Sequence, residues 1–300
     1  MNLRAIDICS GAGGWACAAR GLPIDIVLAV DLWDVACKTY ELNHPDTQVL
    51  CADIRDRETQ DRIAGYGVDL LLGGIPCEWL SAYRNVGHKK GRVSDEERRN
   101  QRRTLDAALA LVDRLRPRWW CFEDVARLKR ELPPLTPYLE LDAADFSPQR
   151  RKRIYVGNFP RPRAEKNTQT ASAELRSGPY RIGKSAFGRT ASRSKSFTPE
   201  TIYPISADRK APTICAISSR RDSELAVVAP GLPGGLRQLE WQEAARLQGF
   251  PTDYLFYGSP TAVSLMVGRA VQLNTASAIL HAIVKEAHFT TKNTKNPVGK

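Results

Sequence analysis

The first half of the chain alternates short apolar runs with stretches of helical spacing, and no other feature restricts its fold so tightly. The runs are Ala5-Ile6-Asp7-Ile8, Ile26-Val27-Leu28-Ala29-Val30, Val49-Leu50-Cys51, Leu70-Leu71-Leu72 and Trp119-Trp120-Cys121-Phe122. Such a rhythm predicts a doubly wound α/β sheet of Rossmann-like type, whose ligands sit beyond the carboxyl ends of the strands. Leu105, Ala108, Leu109, Val112 and Leu115 repeat at helical spacing, and Pro117 marks where that helix has stopped.

From about Arg161 to Pro233 the rhythm gives way to Ser, Thr, Pro, Gly and Arg, with one strand-like piece at Thr213-Ile214-Cys215-Ala216-Ile217. Helical periodicity returns over Glu240 to Leu247 and over Val271 to Val284. The expected organisation is a large α/β domain over 1–160, a small insert over 161–233, a return to the large domain over 234–289 and a disordered tail over 290–300.

Lys and Arg number 44 against 33 Asp and Glu, a net charge of +11 that favours a polyanionic partner such as nucleic acid. No apolar run approaches the length of a bilayer span, and Met1-Asn2-Leu3-Arg4 lacks a signal peptide's layout. A cytoplasmic or nucleoid-associated protein, without a membrane partner and monomeric, is expected. The seven cysteines include no C-x-x-C pair, and their odd number fits a reduced compartment better than a disulfide framework or a metal site.

Asp7-Ile8-Cys9-Ser10-Gly11-Ala12-Gly13-Gly14 follows the first strand and precedes a helix, and its glycines let the backbone approach a ligand. Asp31 ends the second strand, where ribose hydroxyls are usually accepted, and Asp53 ends the third, where an adenine amino group is a fitting donor. Each signal is weak alone, since a glycine-rich turn is often only a turn. Their order at successive strand ends favours an adenosyl cofactor. The fourth strand runs into Gly73-Gly74-Ile75-Pro76-Cys77-Glu78-Trp79-Leu80-Ser81, so a Pro-Cys pair places a thiol where a ligand lies rather than in the core.

Here the chain resembles the DNA cytosine-5 methyltransferase family, whose signature is Gly-Pro-Pro-Cys-Gln followed by an aromatic residue and Ser. Further segments follow in family order. Phe122-Glu123-Asp124-Val125 resembles the Glu-Asn-Val motif, and Gln149-Arg150-Arg151-Lys152-Arg153 the Gln-Arg-x-Arg segment. Arg237 to Pro251 is similar to the ninth motif, and Gly268-Arg269-Ala270-Val271 stands in the place of the last.

The resemblance implies an S-adenosylmethionine-dependent methyltransferase fold with a small inserted target-recognition domain, acting on double-stranded DNA without a metal. Cys77 matches the nucleophile that adds to cytosine carbon 6, so that an S-adenosylmethionine-type cofactor can alkylate carbon 5. Glu123 would act at N3 and the exocyclic amine, and Arg153, supported by Arg151, at O2. Alone, Glu123 would read as a strand-end carboxylate in an ion pair and the arginines as surface charges. The cofactor set would be Asp7, Cys9, Gly11, Gly13, Gly14, Asp31, Leu32, Asp53, Ile54, Arg269 and Ala270. The base would be flipped out of the duplex, with the basic stretch Ser81 to Val93 as the loop that closes over DNA.

Several positions depart from the family: Glu78 for Gln, Leu80 for an aromatic residue, Asp124 for Asn, Cys9 for Phe, and a short linker over Val125 to Pro148. Arg269 replaces an Asn near the transferred group, and a guanidinium beside a sulfonium calls for an anion between them. Carboxy-S-adenosylmethionine would bring that anion and yield 5-carboxymethylcytosine; pairing of Arg269 with Glu78 or Asp124, or with DNA phosphate, leaves ordinary methylation equally open. An RNA cytosine-5 methyltransferase and a catalytically silent DNA-binding homologue are the alternatives.

Overall fold

A computed structural model describes residues 2–76, 95–164, 167–175, 203–215, 225–228 and 236–295. The five apolar runs form five parallel strands, β1 (Leu3–Ile8), β2 (Ile24–Asp31), β3 (Gln48–Cys51), β4 (Leu70–Gly74) and β5 (Trp119–Asp124). Two further strands, β6 (Tyr138–Asp142) and β7 (Lys152–Val156), complete a seven-stranded sheet of order β3-β2-β1-β4-β5-β7-β6. The last two run antiparallel, β7 against β5 and β6 against β7.

Side chains alternate between the two faces of a strand, and both faces are covered. On one face Ala5, Leu70, Leu72, Cys121 and Tyr155 pack against Trp15 and Ala19 of helix α1 (Gly14–Ala19) and against late-chain residues Ala276, Ile279, Leu280 and Ile283. On the other, Ile6, Ile8, Leu71, Phe122 and Ile154 meet Ile63 of α3 (Arg57–Ala64) and Leu105, Ala108 and Leu111 of α4 (Asp95–Leu115). Between these, α2 (Asp34–Asn43) follows β2. Helix α4 ends where Arg116 turns to a φ of 47°, one residue before Pro117.

The C-terminal part supplies α5 (Trp241–Leu247), α6 (Pro260–Arg269) and α7 (Leu273–Lys295). The chain therefore returns to the sheet, as α7 covers the face that α1 begins. The helix expected over Val271 to Val284 starts at Leu273 and runs on to Lys295, five residues beyond the expected start of the tail's disorder; no helix breaker intervenes before Pro297.

Three short strands, β8 (Tyr203–Ile205), β9 (Leu225–Val228) and β10 (Leu236–Gln238), make a second sheet of order β10-β9-β8. Ile205, Val227, Ala211, Ile214 and Ala171 share one apolar cluster with Leu239, Leu247 and Phe250 and with Val263, Met266 and Val267 of α6. Thr213 to Cys215 is not a strand: Pro212 supplies no N–H, and among the described residues the pairing there is a bridge between Ala211 and Gln149. Ala216 and Ile217 lie outside the described residues.

Candidate active site

The parallel registers bring five strand ends to one edge of the sheet. Ile8 pairs with Val30 and Gly73, Asp31 with Cys51, and Gly74 with Glu123. From Glu123 to Asp31 is three inter-strand steps, about 14 Å, so one elongated ligand lying over this edge reaches both.

The glycine-rich loop occupies the middle of that edge. Gly11 and Gly13 have φ of 53° and 81°, a region that glycine enters freely, while Cys9 adopts a φ of 48° despite its side chain. A Cβ added at Gly11 would meet nothing within 4 Å, so the space above it is open. At Gly14 the same atom would come 2.8 Å from Val271 Cγ1, which is why the segment after α6 packs so closely on α1. Beneath the loop, Asp7 is fully buried with neither carboxylate oxygen hydrogen-bonded, and the Ser10 hydroxyl is also buried without a partner. Burial drives the Asp7 carboxyl well above the usual carboxylate range, and Asp31 adds to the effect. The open space over Gly11 and the orphaned Ser10 hydroxyl fit an adenosyl cofactor.

At the end of β2, Asp31 accepts hydrogen bonds from the Gly11 amide at 2.7 Å and the Trp33 amide at 2.8 Å, which ties the loop to the strand end. Burial raises its pKa; these amides and the Arg269 guanidinium oppose the rise. Leu32 is exposed and Ile54 buried. Asp53 binds Arg55, its Oδ2 accepting from Arg55 Nε at 2.8 Å, and this partner holds its carboxyl below the usual range. Arg269, at the end of α6, places its guanidinium 5.9 Å from the centre of the Trp33 ring. The neighbouring Ala270 is buried.

Glu123 is buried at the end of β5, and β7 delivers the arginines to it. Glu123 pairs in register with Tyr155, so Arg153, two residues away on the same face, is its diagonal neighbour. Arg153 Nε lies 3.0 Å from Glu123 Oε1 and Arg151 Nε 3.9 Å. The two arginines differ in role. Arg151 is buried, and its guanidinium donates to the carbonyls of Ile214 at 2.7 Å, Gly268 at 3.2 Å and Ala270 at 3.1 Å. Burial, with Arg153 adding, pushes it down to about 10, so it remains a cation at neutral pH. It joins β7 to the Ile214 segment and to the end of α6.

The Ile75 amide donates to the Glu123 carbonyl at 3.2 Å, so the described chain leaves β4 beside Glu123 and continues to Pro76. Cys77, Glu78, Leu80 and the stretch Ser81 to Val93 lie outside the described residues. Among the described residues no three His, Cys, Asp or Glu side chains converge as metal ligands, and no single helix is long and apolar enough to cross a membrane. Sequence reasoning missed Trp33, although an aromatic residue two places after a strand-end acid is a readable signal. It also missed Tyr254, whose hydroxyl donates to the Ala12 carbonyl of the loop.

The family profile described as C-5 cytosine-specific DNA methylase matches residues 3–132 and 165–285. The type II methyltransferase M1.HphI of Haemophilus parahaemolyticus is 27% identical, over 95% of this chain and 87% of that protein. M.NgoMIV of Neisseria gonorrhoeae, also a type II methyltransferase, is 25% identical over 95% of this chain and 98% of its own. Among solved structures, the S. pombe Dnmt2 methyltransferase superposes with a TM-score of 0.73 at 16% identity, over 96% of this chain and all (100%) of that one, a likeness of fold.

Proposed function

The chain belongs to the C-5 cytosine-specific DNA methylase family, and on that premise we propose that it transfers a one-carbon group to carbon 5 of a cytosine flipped out of double-stranded DNA. The observation that supports this most directly is the buried Glu123 with Arg153 at 3.0 Å, at the strand end beside which β4 leads toward Pro76-Cys77. The Cys77 thiolate adds to carbon 6, and the electron pair displaced from the ring moves toward N3 and O2. Glu123 carries the proton at N3 and accepts from the exocyclic amine, while Arg153 stabilises the charge on O2. Arg151 fixes the strand from which Arg153 projects. S-adenosylmethionine would supply the electrophilic methyl group that carbon 5 takes up, its sulfonium leaving as a neutral thioether. Loss of the carbon 5 proton to water and departure of the thiolate then restore the ring.

The cofactor would lie over Gly11, with Asp31 accepting from its ribose, Leu32, Ile54 and Trp33 against the adenine, and Asp53 at the adenine amine; Asp7, Cys9, Gly13 and Gly14 shape the loop beneath, and Ala270 closes the far side. Residues 161–233 choose the DNA sequence, since their many Arg and Lys side chains suit phosphate contact and guanine readout. The similarity to type II methyltransferases supports a restriction-modification context and a cytoplasmic enzyme.

A second reading is favoured by one observation: Arg269 is exposed at the cofactor edge, over Trp33. A guanidinium there matches the carboxylate of carboxy-S-adenosylmethionine. Nucleoside mass spectrometry of DNA treated with each donor separates 5-methylcytosine from 5-carboxymethylcytosine. A covalent trap with 5-fluorocytosine DNA tests the common mechanism: wild type should form the adduct and Cys77→Ala should not. An adduct with Cys77→Ala, or none with wild type under turnover conditions, overturns it.

A further inference from the structure

The peptide between Ala12 and Gly13 is clamped at both ends. Its N–H donates to the Ser10 carbonyl at 2.9 Å, and its C=O accepts from the Tyr254 hydroxyl. Tyr254 lies far along the chain, after Gly249-Phe250-Pro251, and its ring is buried against Phe250 and Phe256 at centroid distances of 4.8 and 5.3 Å. The His44 ring completes the device, with Nε2 3.2 Å from the same hydroxyl. Because the phenolic hydrogen goes to Ala12, His44 Nε2 must carry its own hydrogen and donate. Burial, with Arg20 adding, pushes His44 down to about 4, which leaves it neutral at pH 7 with one ring N–H to give.

The support beneath this pair is equally specific. Asn43 grips the Leu255 peptide from both sides, donating to its carbonyl at 2.7 Å and accepting from its amide at 2.9 Å, and Thr39 Oγ1 accepts from the Tyr257 amide at 3.0 Å. Helix α2 thus holds the 254–257 segment against the loop. A Cβ at Gly13 would stand 2.8 Å from the Tyr254 hydroxyl and 3.1 Å from His44 Nε2, so the bare backbone at Gly13 is what lets the pair reach Ala12.

We propose that Tyr254 is a positioning residue for the cofactor loop and that His44 orients its hydroxyl: together they fix the Ala12 carbonyl before cofactor arrives, so that binding need not order the loop. This rests on the assignment of S-adenosylmethionine to the loop. Preorganisation of this kind tightens binding rather than speeding chemistry.

The test is calorimetric binding of S-adenosylmethionine to the full chain, with steady-state kinetics alongside. Tyr254→Phe keeps the ring and removes the hydroxyl with its bonds to Ala12 and His44, of which only the first holds the loop, so affinity should fall about five- to tenfold, with KM for the donor rising in step and kcat changing less than about twofold. His44→Leu should match it, His44→Gln, which keeps a donor, should restore most of the affinity, and Tyr254→Phe with His44→Leu should lose no more than either alone. Unchanged affinity in folded Tyr254→Phe, or additive losses in the double variant, overturns the brace. If Tyr254→Phe fails to fold, the His44→Leu and His44→Gln pair decides: equal affinities overturn the proposal. Wild type that binds no S-adenosylmethionine overturns the cofactor assignment itself.

Discussion

Arg153 Nε stands 3.0 Å from Glu123 Oε1, while Arg151, two residues earlier, spends its guanidinium on the carbonyls of Ile214, Gly268 and Ala270. The same residue type therefore does two jobs within three positions. Arg153 stays beside Glu123, donating to the Lys152 carbonyl at 2.8 Å, and Arg151 is a three-way strut between β7, the Ile214 segment and the end of α6.

The division of labour predicts opposite phenotypes. Arg151→Ala leaves the buried carbonyls of Ile214 and Gly268 without their arginine donor and Ala270 with Gln248 alone, while Glu123 keeps Arg153; it should cost on the order of 3–5 kcal/mol of stability, read as a fall in the denaturation midpoint. Arg153→Ala takes the nearer cation from a buried carboxylate that keeps Arg151 at 3.9 Å, so it should cost less, about 1–3 kcal/mol, while lowering kcat by roughly a hundredfold or more. Equal losses of stability in the two variants would show that both arginines are structural.

Much of this was legible in the sequence, for a physical reason. Strands buried on both faces must be apolar throughout, so β1, β2, β4 and β5 stand out from Leu3 to Asp124, and the acids and glycines at their ends mark the ligand edge. β6 and β7 did not stand out, because the hairpin lies at the sheet margin with charged residues such as Glu140 and Lys152 among its apolar ones. Arg151 and Arg153 were readable as a motif, yet sequence order carries no information on which one turns inward. That depends on Ile214, Gly268 and Ala270, which are 63 to 119 residues away. The Tyr254–Ala12 contact, separated by 242 residues, was equally invisible.

Asp7 makes stability depend on pH in an uncommon direction. Burial without a hydrogen-bond partner raises its folded-state pKa well above the unfolded value, so the native state prefers the neutral carboxyl. This contribution is complete below the unfolded pKa and is lost as pH rises through the folded one, by up to about 1.4 kcal/mol per pH unit. Asp7→Asn cannot ionise and should flatten that slope. Denaturant titrations of both proteins between pH 5 and pH 9 check it; identical slopes would mean that Asp7 is ionised and paired in the folded state.

Arg237 and Glu243 form a buried fork, with Nη1 to Oε2 at 2.7 Å and Nη2 to Oε1 at 2.6 Å. Glu243 Oε2 also accepts from the Glu240 amide at 3.0 Å, closing the capping box that starts α5. Glu243→Leu leaves a buried guanidinium without its countercharge and should cost about 3–5 kcal/mol. Adding Arg237→Met removes that charge and should recover most of the loss, apart from about 1 kcal/mol for the missing cap. A double variant as unstable as Glu243→Leu would assign the cost to packing instead.

The charge of Arg269 sets the last prediction, which compares Asp31 with the proposed donor carboxylate as its partner. Asp31 is already within electrostatic reach, and Arg269 partly opposes the rise that burial imposes on its pKa, whereas a carboxylated donor would bring a carboxylate of its own. If the donor's carboxylate is the partner, wild type should prefer carboxy-S-adenosylmethionine, and Arg269→Asn should shift the preference toward S-adenosylmethionine by about ten- to a hundredfold, the worth of one charge-assisted contact. If Asp31 is the partner, wild type should make only 5-methylcytosine from a mixture of the two donors. Arg269→Asn should then raise the Asp31 pKa further, because burial is no longer opposed by a cation. On the proposed contact of ionised Asp31 with the ribose, cofactor affinity in that variant should begin to fall at a higher pH, as the solution is acidified, than in wild type. One competition assay and one pH series therefore distinguish the two partners, and a variant unchanged in both would leave Arg269 to the DNA backbone.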